Sequence, residues 1–253
     1  MITDQVKSIC QKMRLFGVYD AVERRAQAAL ADQQHPLEFL RLVLEDELLA
    51  RRNSLGKRLT SKACFRATAD LEDLDVTYDR GITKAKLKEI SLLNFYHNRE
   101  NLLMLGGTGT GKTHLAIAIG RRACQETIST AFIPTSFLFE EAIAERAAGT
   151  YVKHIRKLGK IQLLVLDDFG LRNYTHDEAT ILVDILEERY QKGSVVITSQ
   201  VNPDGWIKLF EDPVIAEAIV DRLKSPSQEL KLKGPSYRDR LAAKNQNNKG
   251  TKS

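Results

Sequence analysis

The sequence predicts an α/β fold: a three-layer arrangement around a parallel sheet, preceded by a small all-helical N-terminal domain. Three observations carry this. After residue 100, short apolar runs alternate with amphipathic stretches, the pattern of strands covered on both faces by helices. No convincing strand pattern occurs before residue 75. The first apolar run, Asn101 to Leu105, ends in a glycine-rich turn that opens an amphipathic stretch, giving the order strand, loop, helix.

The front end reads as helices. From Val6 to Leu30 apolar residues recur at helical spacing, with Gly17 as the expected break, and His35-Pro36 then opens a new helix, since proline suits a first helical turn. Leu37, Leu40, Leu44 and Leu48 form an i, i+3/i+4 stripe expected to face the core. A third helix is expected after Asn53-Ser54. These residues make up a helical domain over 1–70. Residues 71–100 follow as a linker, Leu71 to Ile82, and a helix, Lys84 to Tyr96. The α/β core spans 101–243. Its strands are expected at Asn101–Leu105, Thr130–Ile133, Ile161–Leu166 and Val195–Thr198, with Glu229–Leu232 a further candidate. Helices are expected at Thr113–Cys124, Phe137–Ala148, Glu178–Gln191 and Val214–Leu223, the third opened by a capping box from Thr175 to Glu178. Residues 244–253, rich in Asn, Gln, Lys and Gly, read as a disordered basic tail.

Composition narrows the class. The 253 residues are 43% hydrophobic and 28% charged, which excludes global disorder. Cys10, Cys64 and Cys124 are far apart, so neither a disulfide framework nor a Cys-x-x-Cys zinc site is expected, and they read as small apolar residues. The polar start Met1-Ile2-Thr3-Asp4 does not read as a signal peptide, and no apolar run approaches the ~18 residues of a membrane span. A cytoplasmic protein with no membrane partner is expected.

Gly106-Gly107-Thr108-Gly109-Thr110-Gly111-Lys112-Thr113 matches G-x-x-x-x-G-K-[ST], the phosphate-binding P-loop. Glycines let successive backbone N–H groups turn toward phosphate oxygens, and the helix N-terminus adds positive potential. Lys112 is expected to reach the β- and γ-phosphates of ATP, and the Thr113 hydroxyl to join the coordination of Mg²⁺. His114 closes the set of candidate nucleotide-site residues, although on a helix it faces away from phosphate. The run Ile161 to Leu166 ends in Asp167-Asp168. Asp167 is expected to hold the Mg²⁺, and Asp168 to orient or deprotonate the attacking water. Another run ends Thr198-Ser199-Gln200, where Gln200, or failing it Ser199, can position water against the γ-phosphate. Arg222, in the last turn of the helix Val214 to Leu223, can project into a neighbouring subunit's site. Trp206, in the turn Pro203 to Trp206, is expected to pack rather than stack on a base.

Net charge is only +5, but its distribution is uneven. Between Glu47 and Asp70 no acid occurs, while Arg51, Arg52, Lys57, Arg58, Lys62 and Arg66 do. A second acid-free stretch, between Glu145 and Asp167, carries Lys153, Arg156, Lys157 and Lys160. Both are candidate DNA contacts. Phosphate contacts position a protein without reading sequence, so largely non-specific duplex binding is expected.

These pieces resemble the AAA+ ATPases, and within them the IstB-type transposition helpers, relatives of the DnaC/DnaI helicase loaders. The resemblance rests on the P-loop continuing as Thr113-His114-Leu115-Ala116, on the run Leu163 to Gly170, on Thr198-Ser199-Gln200 and on Asp221-Arg222-Leu223. Leu71-Glu72-Asp73-Leu74-Asp75 and Gly234-Pro235-Ser236-Tyr237-Arg238 add to it. It implies Arg222 as an arginine finger acting in trans, Arg238 as a second arginine near the nucleotide, and a ring or helical homo-oligomer. It also implies ATP-dependent assembly on duplex DNA that recruits a transposase encoded by the same element; a helicase loader is the alternative. A small-molecule P-loop kinase fits less well, because no acceptor-binding lid is found. Most AAA+ members carry Asp-Glu where this chain has Asp167-Asp168. The shorter second acid leaves its water further from phosphorus unless the backbone moves in, so slow hydrolysis is expected.

Overall fold

The computed structural model describes residues 2–74 and 81–234. Asp75, the motif residues from Pro235 to Arg238 and the tail 244–253 lie outside the described residues. The chain divides into two compact units: Met1–Arg58 with Gln125–Thr127, and Leu59–Cys124 with Ile128–Ser253.

The first unit holds α1 (Ile2–Met13), α2 (Phe16–Ala31) and most of α3 (Pro36–Lys62). The break after α1 is at Arg14-Leu15, not at Gly17. Arg14 takes φ +58° and the Leu15 N–H donates to Cys10 O at 2.8 Å, the bond that closes a helix C-terminus. Gly17 instead lies in the first turn of α2, where a Cβ would stand 2.6 Å from Asp46 O and Glu47 Cα. Glycine is there to let two backbones touch.

No new helix starts after Asn53-Ser54, because α3 runs straight through them; Asn and Ser disfavour a helix interior only weakly. The leucine stripe also differs from expectation. Leu37 and Leu48 are each 67% exposed, and Leu40 and Leu44 are exposed too, while Val43 and Glu47 are buried. Glu47 explains which face turns in. One of its oxygens accepts from the N–H groups of Gly17 (2.7 Å) and Val18 (3.2 Å), and the other from Arg51 Nε (2.7 Å). It thus satisfies two orphan donors at the start of α2. A fork from Arg25 to Asp46 ties the same helices, around a core of Cys10, Val18, Val22 and Val43.

In the second unit, Leu71–Asp73 form a single 3-10 turn, followed by α4 (Lys84–Ser91) and α5 (Asn94–His97). The single helix expected over 84–96 is split at Leu93, which takes φ +56°. Then come β1 (Asn101–Leu105), α6 (Lys112–Gln125), β2 (Thr130–Pro134), α7 (Thr135–Ala147), α8 (Tyr151–Gly159), β3 (Leu163–Phe169), α9 (His176–Arg189), β4 (Ser194–Ser199), α10 (Pro213–Lys224) and β5 (Ser227–Lys231). The capping box at Thr175 and Glu178 is present. Helix α8 is absent from the elements the sequence predicts; its basic outer residues mask an inner row of His154, Ile155 and Leu158.

All strand pairs are parallel, in the order β2-β3-β4-β1-β5. Alternate residues feed opposite faces. Leu103, Leu105, Leu164, Leu166 and Ile197 pack against α7, α9 and α10. Leu102, Met104, Leu163, Val165 and Val196 pack against α6 with Ile90 and Leu93. Three layers result, as the sequence predicts. Trp206 is fully buried, edge-on to Phe169 at 4.8 Å between ring centroids. Cys10 and Cys124 are buried, whereas Cys64 is exposed and does not behave as an apolar core residue.

Candidate nucleotide-binding site

The strand order decides what meets at the loop. Because β4 lies between β1 and β3, the polar end of β4 stands between the loop after β1 and the acids ending β3. The loop 106–111 leaves β1 beside β4, with the Gly106 N–H donating to Ser199 O at 3.2 Å. Gly106 is there for close approach, since a Cβ would lie 2.4 Å from Leu232 O. Gly106→Ala is therefore expected to destabilise the unit by roughly 1–3 kcal/mol through overpacking and to weaken ATP binding. Thermal unfolding alongside nucleotide titration checks this, with Gly107→Ala as control because a Cβ there meets nothing within 4 Å.

Lys112 Nζ donates to Gly106 O (2.9 Å) and Gly107 O (2.8 Å), closing the loop on itself. Burial lowers the Lys112 pKa from the ordinary lysine value, opposed first by the charge of Asp168 and then by that of Asp167. Thr110 Oγ1 donates to Gly107 O at 2.9 Å, and Thr108 Oγ1 donates to Gln200 Oε1 at 2.8 Å. Gly109 and Gly111 take φ +77° and +96°. His114 is exposed on α6.

Asp167 is completely buried. Its Oδ1 accepts from Thr113 (3.0 Å) and from Thr198 (2.6 Å). Its Oδ2 is buried with no hydrogen-bond partner among the described residues. Burial raises its pKa above the usual carboxylate value, with the Thr198 bond opposing. A desolvated carboxylate with one bare oxygen, beside the loop's threonine, has the chemistry of a divalent-cation ligand.

Asp168 lies in a bulge of β3, where the register slips between Leu166 and Phe169, and it takes φ +59°. The bulge re-aims its side chain, and its charge acts on Lys112 ahead of that of Asp167. The Asp168 N–H donates to Thr198 Oγ1 at 2.9 Å. Thr198 thus bonds the Asp167 carboxylate and the Asp168 backbone, a role that sequence reasoning missed. The available signal was a hydroxyl at the end of the run Val195-Val196-Ile197. Of the two water-positioning candidates, Gln200 is exposed and touches the loop. Ser199 is buried, donating to Phe169 O at 2.7 Å and accepting from Trp206.

Arg222 is not at its own chain's loop. Asn101, the first residue of β1, donates from Nδ2 to Arg222 O at 3.0 Å, whereas the loop follows the last residue of β1. The Arg222 guanidinium pairs with Glu187 and donates to Ala218 O. The basic candidates divide. Arg51 pairs with Glu47, and Arg52 with Glu126, while Lys57 and Arg58 are exposed on α3. Lys62 and Arg66 belong to the second unit, and the Arg66 charge reaches Asp167 and lowers its pKa. Lys153, Arg156, Lys157 and Lys160 are all exposed, while His154, Ile155 and Leu158 between them are buried.

This sheet order, with a P-loop, paired acids ending β3 and a polar strand end between them, defines a P-loop ATPase of the AAA+ type. Solved structures with this fold include DnaI (TM-score 0.56, 20% identity, 70% of this chain and 94% of that one). The DnaC helicase loader is another (TM-score 0.52, 23% identity, 65% and 97%). A family profile for IstB-like ATP binding proteins matches residues 8–245, and the chain belongs to that family. An ATP-binding protein of an insertion sequence from Mycobacterium tuberculosis is 32% identical over 93% of this chain and 94% of its own length. That of insertion sequence IS21 from Pseudomonas aeruginosa is 31% identical, over 92% and 88%. The chain is an ATP-binding P-loop ATPase. Among the described residues no helix is long and apolar enough to cross a membrane.

Proposed function

We propose that ATP drives this chain to assemble on duplex DNA, without sequence preference, and there to recruit a transposase encoded by the same element. The observation that carries this reading is the relation between Arg222 and the loop. They lie at opposite ends of β1, as expected of an arginine that serves a neighbouring subunit's nucleotide. A head-to-tail contact of that kind propagates into a ring or a helix. Insertion-sequence relatives at 31–32% identity favour transposition over helicase loading, since the likeness to DnaI and DnaC speaks to fold alone.

In the ATPase step, Lys112 turns from its loop carbonyls to the phosphates, and Thr113 and Asp167 would hold a Mg²⁺ ion, which when bound would supply charge neutralisation at the phosphoryl group. Asp168 and Gln200 position the attacking water, and Arg222 and Arg238 of neighbouring copies add positive charge. Asp168→Asn is expected to lower turnover by about 100-fold while leaving ATP affinity close to wild type. An unchanged rate would remove Asp168 from the reaction.

DNA contact is assigned to the exposed basic face of α8 and to the acid-free half of α3. Converting Lys153, Arg156, Lys157 and Lys160 to glutamine should flatten the dependence of log affinity on log salt, by about 0.9 for each phosphate that is no longer neutralised. A wild-type protein with no salt-dependent affinity for duplex DNA, with or without an ATP analogue, would refute the reading.

A further inference from the structure

We propose that the first unit carries a built seat for a backbone phosphodiester of DNA, formed by Arg14 and Arg58 with Ser54. The inference rests on the DNA-binding reading above and names a site for it. A cleft of about 270 Å³ lies where the α1–α2 turn meets α3, lined among others by Arg14, Phe16, Glu47, Arg51, Ser54 and Arg58. All belong to the first unit.

Charge in the cleft is unbalanced. Glu47 is its one acid, and both Glu47 oxygens are already engaged, by Arg51 and by the Gly17 and Val18 amides. Arg51 therefore answers Glu47. The Arg14 and Arg58 side chains have no hydrogen bond or ion pair among the described residues, and both residues are exposed. On α3 no acid lies within one turn of Arg58 on either side. The cleft keeps two uncompensated guanidinium groups and the Ser54 hydroxyl, one helical turn from Arg58.

The backbone points the same way. Arg14 occupies the left-handed position that ends α1, where glycine or asparagine is the ordinary choice. Arginine gains nothing there in local stability, yet the position puts it in the lining of the same cleft as Arg58.

Two planar forks converging with a hydroxyl suit a tetrahedral anion with several acceptor oxygens. The half-open ring face of Phe16, 61% exposed, offers apolar surface for the adjoining deoxyribose. A polyanion fits better than a single acidic side chain, because Lys57 adds a further exposed cation next to Arg58 in the same acid-free run.

The test uses the full chain with a non-hydrolysable ATP analogue and a mixed-sequence duplex, with affinity measured by fluorescence anisotropy across about 50–200 mM salt. Arg14→Gln/Arg58→Gln is expected to weaken binding about tenfold. Its salt slope should fall by about 0.9, the loss of one phosphate contact. Arg14→Lys/Arg58→Lys should keep the slope while losing part of the affinity. Comparing the two pairs reads charge in the cleft even if either substitution costs stability. Lys12→Gln/Arg24→Gln removes the same charge from the same unit outside the cleft and should leave the slope unchanged. An unchanged slope in the glutamine pair, or an equal fall in the Lys12/Arg24 pair, overturns the seat while the DNA reading stands. A glutamine pair that binds DNA normally but loses the transposase would make the cleft an acidic-peptide site and overturns it as well. Absence of DNA binding by the wild type refutes both.

Discussion

Lys112→Ala is expected to cut ATP affinity and turnover by at least about 100-fold. Removing a single preorganised charge from a reacting phosphate or oxyanion costs on that scale, and Lys112 has a second task. Its ammonium bonds the carbonyls of Gly106 and Gly107 at 2.9 and 2.8 Å, holding the loop curled. The substitution removes both the charge that meets phosphate and the brace that shapes the loop beforehand. Burial lowers the Lys112 pKa, opposed by the charge of Asp168 and then by that of Asp167. A desolvated cation pulls on an anion more strongly than a solvated one. Isothermal titration with ATP and steady-state hydrolysis read the two effects. Near-normal ATP affinity in the variant would mean that the loop amides alone bind the phosphates.

Asp167→Asn is expected to act in opposite directions on activity and stability. Turnover should fall by about 100- to 1,000-fold, because the group assigned to Mg²⁺ loses its charge. The metal-free protein should become more stable, by roughly 1 kcal/mol, since asparagine replaces an unpaired buried charge with an unpaired neutral amide, and the charged group costs more to desolvate. For a unit of this size that is a rise of about 2–4 °C in melting temperature. The sign follows from the raised pKa of Asp167. The folded state holds its proton to higher pH than the unfolded chain does. Stability is therefore lost as pH rises above the ordinary carboxylate value, and the loss is complete above the folded pKa. Asparagine keeps an oxygen for Thr113 and Thr198 and removes the charge. Adding Mg²⁺ and nucleotide should raise the melting temperature of wild type more than that of the variant. A variant less stable than wild type without metal would contradict this account of Asp167.

Much of the site was legible because its chemistry is local in sequence. The P-loop residues Gly106 to Thr113 are contiguous, and the acids of β3 follow an apolar run that only a buried strand explains. What was not legible depends on contacts between distant segments. Thr198 looks like an ordinary strand end until β4 is placed beside β3, where its hydroxyl meets the Asp167 carboxylate and the Asp168 backbone. The bulge that re-aims Asp168 arises in pairing, not in its own run. In the first unit, the stripe from Leu37 to Leu48 has helical spacing, yet Val43 and Glu47 face inward. Periodicity reports a face, and only the Glu47 bonds to α2 show which face was chosen. Helix α8 was hidden for a related reason. Its cations read as a charge block, although the residues between them pack against the core.

The central claim is that ATP binding at Lys112 and Asp167 controls assembly on DNA through a neighbour's Arg222. Measuring the mass and shape of the particles with a non-hydrolysable ATP analogue, with and without duplex DNA, tests it most directly. Large ring or helical assemblies are predicted only with analogue, growing when DNA is added, and absent for Arg222→Ala. Particles that stay monomeric with both ligands, or assemble equally without nucleotide, would contradict it.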